Sequence, residues 1–334
     1  MGIKFQHLRQ HNLKNIDVDF PLHSLVCVTG VSGSGKSTLV KEILLPAVKK
    51  ELDIYGDKQG EFKSFSGDMK HIKAVEFVDQ NPIGKSSRSN PVTYVKAYDT
   101  IRALMANQQL SKIRGYMPKH FSFNVDGGRC ENCKGEGTVK IEMQFMADLH
   151  LTCEKCKGQR FKKEILEVRY QQKNINEILN LTVSEALIFF SDRKNIYNKI
   201  RPLDDVGLGY VKLGQSSSSL SGGEAQRVKL ASFLSKKGGN KNDHTLFLFD
   251  EPTTGLHFHD IKKLLDSINA LIDEKNTAVI IEHNMEVIKN ADWIIDLGPE
   301  GGANGGFINF AGLPEDLVNL RSQNHTAHYL KEKL

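Results

Sequence analysis

The chain has 334 residues, 39% hydrophobic, 25% charged and 8% aromatic, enough apolar material for one large core or two moderate ones and a composition that excludes disorder and fibrous repeats. No run of about 18 or more apolar residues occurs, and MGIKFQHLRQ has no apolar stretch after its charges, so the sequence predicts neither a membrane span nor a signal peptide and makes the cytoplasm the expected location. The net charge of +5 is unevenly placed: residues 81–173 hold 17 Lys and Arg against 9 Asp and Glu, leaving 28 against 31 elsewhere, and a basic middle on a near-neutral remainder predicts a polyanionic partner.

The first motif follows a short apolar run. SLVCVTG reads as a buried strand that runs into VSGSGKST and then into TLVKEILLPAVKK, a predicted helix. The segment Gly30 to Ser37, with Gly33, Gly35 and Lys36, matches the phosphate-loop pattern at every fixed position. Its glycines let successive backbone N–H groups converge on phosphate oxygens, and the helix start, at Ser37 and Thr38, adds its dipole. Lys36 would neutralise β- and γ-phosphates held there, and Ser37 would ligate Mg²⁺. Cys27, inside the apolar run, reads as an inert core residue. The strand HIKAVEFVDQ ends at Gln80, placed to sense the same phosphate through metal or water.

Four of the five cysteines fall in two near-copies of one phrase, CENCKGEG and CEKCKGQR. Cys130 and Cys133 are separated by 19 residues from Cys153 and Cys156, within zinc-ribbon spacing, and a reducing compartment argues against disulfides. The predicted metal is a structural Zn²⁺ with all four positions filled; a redox dithiol is the rival reading. Between the pairs, Val139, Ile141, Met143 and Phe145 alternate with polar neighbours, which predicts a half-buried strand. Gly135, Gly137 and Gly158 permit the tight turns of zinc knuckles. Beyond the cluster, TVSEALIFF opens with a capping box, Thr182 to Glu185.

In LSGGEAQRVKLASFL, Ser221-Gly222-Gly223 leads into a helix from Glu224, a second positive helix end that suits a phosphate. Four serines precede it, and SKKGGNKNDHT after it reads as a polar linker. HTLFLFDEPTTG is an apolar strand that delivers Asp250 and Glu251 at its carboxyl edge, where open α/β sheets bind ligands. Asp250 would hold Mg²⁺ and Glu251 would polarise an attacking water. NTAVIIEH likewise ends at a polar pair, Glu282 and His283, the histidine within reach of a γ-phosphate.

GVSGSGKST, Gln80, LSGGEAQR, FDEPTTGLH and IIEHN stand in the order of an ABC-type ATPase. The resemblance implies two such units docked head to tail, each signature acting on the ATP of the other, so that Ser221, Gly222, Gly223 and Glu224 serve a partner's nucleotide. FVDQNPIGKSSRSNPVTY, RGYMPKHFSFNVDGGRCENCKGEG, VGLGYVKLGQ and IIEHNMEVIKNADWIIDLGPEGG together resemble the C-terminal half of the UvrA family, the damage-recognition ATPases of bacterial nucleotide-excision repair, from about Phe5 to the end.

That resemblance implies an α/β ABC-type P-loop core, at 1–85 and 240–334, interrupted by a signature domain at 86–239 with a zinc module at about 120–170. It also implies duplex DNA as partner, with Lys85, Arg88, Lys112, Arg114 and Lys119 as candidate phosphate contacts that carry no sequence preference. UvrA proteins carry two ATPase units and this sequence has one, so the expected partner is a second ABC half, either a copy of itself or separately encoded, and the sequence reads as a fragment or a half-size protein. Other excision-repair proteins are expected partners through the resemblance alone, since the region that recruits the next of them lies in the family's other half. The expected function is ATP-dependent recognition of damaged DNA; the alternatives are a paralogue for drug self-protection or an ATP-binding scaffold without a repair role.

Overall fold

LVCVTG, HTLFLFD and TAVII have no polar face, and all three form strands buried on both sides, the pattern of parallel strands covered by helices. The computed structural model describes residues 1–54, 58, 60–84, 86, 88–141, 149–235, 244–320 and 324–333. Among them the strands are β1 (Gly2–Leu8), β2 (Ile16–Pro21), β3 (Leu25–Gly30), β4 (Ser64–Gly67), β5 (Ile72–Val78), β6 (Thr138–Ile141), β7 (Leu149–Thr152), β8 (His244–Asp250), β9 (Thr277–Ile281), β10 (Trp293–Gly298) and β11 (Phe307–Gly312). The chain divides into two compact units, Met1–Gln80 with Lys236–Leu334, and Asn81–Ser235. These divisions fall at 80/81 and 235/236, where the sequence suggested 85/86 and 239/240.

The first unit is built on a six-stranded sheet of order β11-β10-β3-β9-β8-β5. Five strands run parallel and β11 is antiparallel at the edge. The register sets Leu297 beside Gly30 and Asp250 beside Ile281, so the ends of β3, β8, β9 and β10 share one edge. A three-stranded antiparallel sheet, β2-β1-β4, buries Ile3, Phe5, Ile16, Val18 and Phe20 by the two-residue alternation of half-buried strands.

After β3 the chain winds through Thr38–Leu44 as wide π-type turns and continues as the α-helix Leu45–Glu51. Pro46 accounts for the widening, because it has no N–H for a regular helical bond and its ring crowds the carbonyl one turn back. That carbonyl, Glu42 O, instead accepts from Gly60 N at 3.1 Å. The winding buries Leu39, Val40, Ile43, Leu44, Ala47 and Val48 against Val26, Val28, Leu246, Leu248 and Val279. No helix among the described residues is long and apolar enough to cross a membrane.

The second unit is mostly helical, around Phe121, Phe123, Phe161, Phe190, Leu203 and Val228. Its short helices are pinned by side chains at their starts: Asn174 with Glu177, and Thr182 with Glu185, form reciprocal capping boxes. The longest described helix in this unit, Gly222–Leu234, follows the four serines without interruption. The two-stranded β6-β7 ribbon pairs Val139 with Leu151 and Ile141 with Leu149. All four are substantially exposed, so the predicted half-buried strand is corrected to a ribbon whose apolar face is open. Alternation identifies a face without telling what covers it; Met143, Phe145 and the linker at 236–243 lie outside the described residues. Together the units are an α/β fold with a mixed sheet and a four-cysteine cluster.

Candidate functional site

At the carboxyl end of β3, Gly30 takes φ 127°, and a Cβ there would stand 2.0 Å from Leu297 O. The turn closes through Ser34 N to Val31 O, and the helix begins with Leu39 N to Gly35 O. Lys36 is only 6% exposed and bends back on its own loop, its Nζ donating to Gly30 O at 2.9 Å and Val31 O at 2.8 Å. Burial holds its pKa below the ordinary lysine value, while the charges of Glu251 and Asp296 pull the other way. Ser37 is exposed and Thr38 half-buried at the helix start. Ser34 Oγ is buried and lacks a partner among the described residues, an orphaned donor within the loop. A buried ammonium, an orphaned hydroxyl and Gly33 and Gly35 at positive φ fit a phosphate-bearing ligand.

The sequence reading missed a second glycine loop that braces the first. Gly302 N donates to Gly33 O at 3.0 Å, and Asn12 Nδ2 donates to the same oxygen at 2.8 Å. Gly301 packs so closely that a Cβ would stand 2.3 Å from Ser32 O. The available signal was the run GPEGGANGG, whose glycines admit close backbone approach.

Asp250 and Glu251 leave the end of β8 side by side. Lys41 Nζ sits 2.5 Å from Asp250 Oδ2 and lies over the Phe77 ring. Glu251 takes φ 45°, an uncommon conformation for a residue with a side chain, and its N–H donates to Ile281 O at 2.9 Å. Gln80 Nε2 reaches Glu251 O at 3.5 Å, and His283 Nε2 stands 3.6 Å from Glu251 Oε1. Burial, aided by the Lys36 charge, lowers the His283 pKa, while Glu251 and Glu282 raise it. Thus Lys36, Asp250, Glu251, Gln80 and His283 all lie at the carboxyl edge of one sheet.

Glu282, read from the sequence as half of a polar pair with His283, has a distinct structural place. It is buried, accepts from Thr253 N and Oγ1 at 2.9 and 2.6 Å, and accepts from His283 N and Asn284 N. All four donors converge on one carboxylate, which fixes the backbone of His283.

In the second unit, Ser221 caps the Gly222–Leu234 helix in a reciprocal box: Ser221 N donates to Glu224 Oε2 at 2.8 Å, and Glu224 N to Ser221 Oγ at 3.3 Å. Gly222 and Gly223 form its first turn. The four cysteine sulfurs lie within 4.8 Å of one another, with Cys130–Cys153 at 4.0 Å and Cys133–Cys156 at 3.6 Å. A tetrahedron with Zn–S near 2.3 Å has edges of about 3.8 Å, so the cluster fits zinc. Both knuckles use the same left-handed pair, Lys134 with Gly135 and Lys157 with Gly158, which explains the repeated Cys-Lys-Gly phrase. Burial pushes the Cys133 thiol up and the Cys156 thiol up to about 12. Burial opposes the Cys153 thiolate too, but donation from Asn132 and nearby backbone outweighs it and holds that group to about 6.

Of the basic candidates, Lys112 and Lys119 are exposed and form no ion pair among the described residues. Arg88 faces Glu136 at 3.5 Å, and Arg114 pairs with Glu167 at 2.5 Å. Lys85 lies outside the described residues.

No family model matches the chain. It is 53% identical, over 333 residues and its whole length, to the UvrABC system protein A of Clostridium tetani (strain Massachusetts / E88), of which it covers 35%. It is 51% identical over 332 residues to that of Aquifex aeolicus (strain VF5), again covering 35%. The chain is homologous to UvrABC system protein A. The structure of UvrA2 from Deinococcus radiodurans agrees over the whole chain, with a TM-score of 0.90 and 43% identity, and 40% of that protein is covered. The chain therefore spans about a third of the length of the curated relatives it matches.

Proposed function

We propose that this chain is the C-terminal ABC-type ATPase half of a UvrA-like protein, acting in recognition of damaged DNA. The observation that carries the reading is the convergence of the Gly30–Ser37 loop, Asp250, Glu251, Gln80 and His283 on one sheet edge, within a chain homologous to UvrABC system protein A. In this reading the first unit is the nucleotide-binding core and the second is the signature domain.

The Gly30–Ser37 loop holds the phosphates of ATP, and Lys36 exchanges its two carbonyl partners for phosphate oxygens. Ser37 and Asp250 are the residues that would hold Mg²⁺, which supplies charge neutralisation when bound. Glu251 accepts the proton of the attacking water, and His283, neutral because its pKa is lowered, donates toward the terminal phosphate. Gln80, whose amide reaches the Glu251 carbonyl, senses the same phosphate through metal or water.

Ser221, Gly222, Gly223 and Glu224 present the amino end of a helix to a nucleotide held by a second ABC half, in a head-to-tail pair. Zn²⁺ on Cys130, Cys133, Cys153 and Cys156 is structural. Lys112 and Lys119 are the best placed of the described candidates to meet a DNA backbone, because Arg88 and Arg114 are engaged with carboxylates. Glu251→Gln tests the reading: ATP binding retained with turnover reduced about 10²-fold or more is expected, and unchanged turnover removes Glu251 from its role.

A further inference from the structure

The Asn81–Ser235 unit contains a cavity of about 370 Å³, lined by Arg160, Asn180, Lys212, Gln215, Ser216 and Ser219, with Gly214 completing the wall. This size is within the range of small-ligand sites, about 300–1,000 Å³. Two cations and several neutral polar groups face it, and among the described residues no carboxylate lines it. Neither Arg160 nor Lys212 forms an ion pair among the described residues; the Arg160 guanidinium instead lies over the Phe123 ring at 5.7 Å. Gln215 accepts from Lys212 N through Oε1 at 3.4 Å, which leaves its amide nitrogen for a ligand.

The walls are built rather than loosely draped. Val183 N to Val211 O, Leu213 N to Leu181 O and Gly214 N to Leu179 O form a short ladder that carries Lys212. A Cβ on Gly214 would stand 2.9 Å from Leu179 Cβ, so only glycine lets the two segments meet there. Ser217, buried in the same segment, donates through Oγ to Gly84 O and Ser86 O and through its N–H to Ser89 O. On the opposite wall, Arg160 is fixed by the metal module: its carbonyl accepts from Cys130 N at 2.8 Å, and its N–H donates to the Cys156 sulfur.

A guanidinium and an ammonium that form no ion pair among the described residues, with amide and hydroxyl groups beside them, make a site for a phosphate group. We propose that this cavity binds a phosphate group and through it ties the four-cysteine module to the Lys212–Ser219 segment that feeds the Gly222–Leu234 helix. The phosphate is a diester of a nucleic acid or belongs to a free phosphate compound. The assignment rests on this cavity alone, independent of the repair reading.

The test uses the full chain carrying Lys36→Ala, so that the Gly30–Ser37 loop does not contribute, with inorganic phosphate as probe against chloride at matched ionic strength. A saturable rise in the unfolding midpoint is expected. Lys212→Gln, a change at an exposed residue, is expected to abolish it with zinc content unchanged. Arg160→Gln is expected to do the same; if that variant does not fold, Lys212→Gln decides. A short duplex titrated across a salt series separates the sources. A slope of log K against log salt reduced by about 0.9 in Lys212→Gln assigns the phosphate to nucleic acid. An unchanged slope, or no duplex binding, with the phosphate response lost assigns it to a free compound. A phosphate response that is absent, or that persists undiminished in Lys212→Gln, overturns the proposal whether or not the chain binds DNA.

Discussion

Lys41 and Asp250, 209 positions apart in sequence, meet at 2.5 Å on the edge of the central sheet. The two side chains are 35% and 24% exposed, so the pair is partly screened and of modest strength. Its consequence is competitive: the ammonium occupies the carboxylate that the proposed function assigns to Mg²⁺. Lys41→Met is expected to raise apparent affinity for Mg²⁺ by about two- to fivefold, the range of a pair worth up to about 1 kcal/mol. Metal titration of nucleotide binding reads this directly, and an unchanged or weaker affinity removes the competition.

His283 has its pKa lowered by burial and by the Lys36 charge. A histidine with a lowered pKa stays neutral to a lower pH than usual, so the acid limb of turnover is expected to lie below the ordinary histidine value of about 6.5. His283→Gln is expected to remove that limb. A limb unmoved by the substitution assigns it to another group.

Cys130→Ser is expected to lower zinc stoichiometry and to destabilise the Asn81–Ser235 unit while leaving the Gly30–Ser37 loop folded. Because burial raises the Cys133 and Cys156 thiols, metal loading at neutral pH displaces protons, and affinity is expected to fall as pH falls. Retention of one zinc per chain in Cys130→Ser refutes the four-ligand site.

His244 opens β8 at 5% exposure, stacked on His23, with Nε2 2.8 Å from Thr277 Oγ1. Burial first, and then the nearby His23 and His71, lower its pKa to about 4. The unfolded chain therefore binds this proton more readily, so stability is full above about 6.5 and is lost as pH falls toward 4. The loss is on the order of 2–3 kcal/mol. His244→Asn is expected to flatten the unfolding midpoint between those limits; an unchanged pH dependence places it elsewhere.

On the proposed function, Gly301→Ala is expected to weaken nucleotide binding without touching the nucleotide, since its Cβ would press on Ser32 O at 2.3 Å and displace the Gly30–Ser37 loop. Calorimetric titration of ATP against the parent chain checks this.

What the sequence revealed was what is local. β3, β8 and β9 are legible as runs with no polar face, the turn over Gly30–Ser37 as spaced glycines before a lysine, and the knuckles as a repeated phrase. The Lys41 pair, the Glu282 carboxylate holding Thr253 and His283, and the Gly301–Gly306 brace were not legible. Each depends on which distant segments the sheet order brings together, and periodicity carries no information about partners. The Val139 and Ile141 face shows the converse, a correct alternation whose covering side it could not supply.

β8 is seven residues long, roughly 20 Å from end to end, with His244 at one terminus and Asp250 at the other. The strand is a rigid spoke whose hub is acid-labile and whose rim carries the Asp250 carboxylate, with that of Glu251 just beyond it. Mild acid is therefore expected to withdraw both carboxylates together by loosening the spoke. Activity lost on that branch would return with refolding, more slowly than the proton leaves His244.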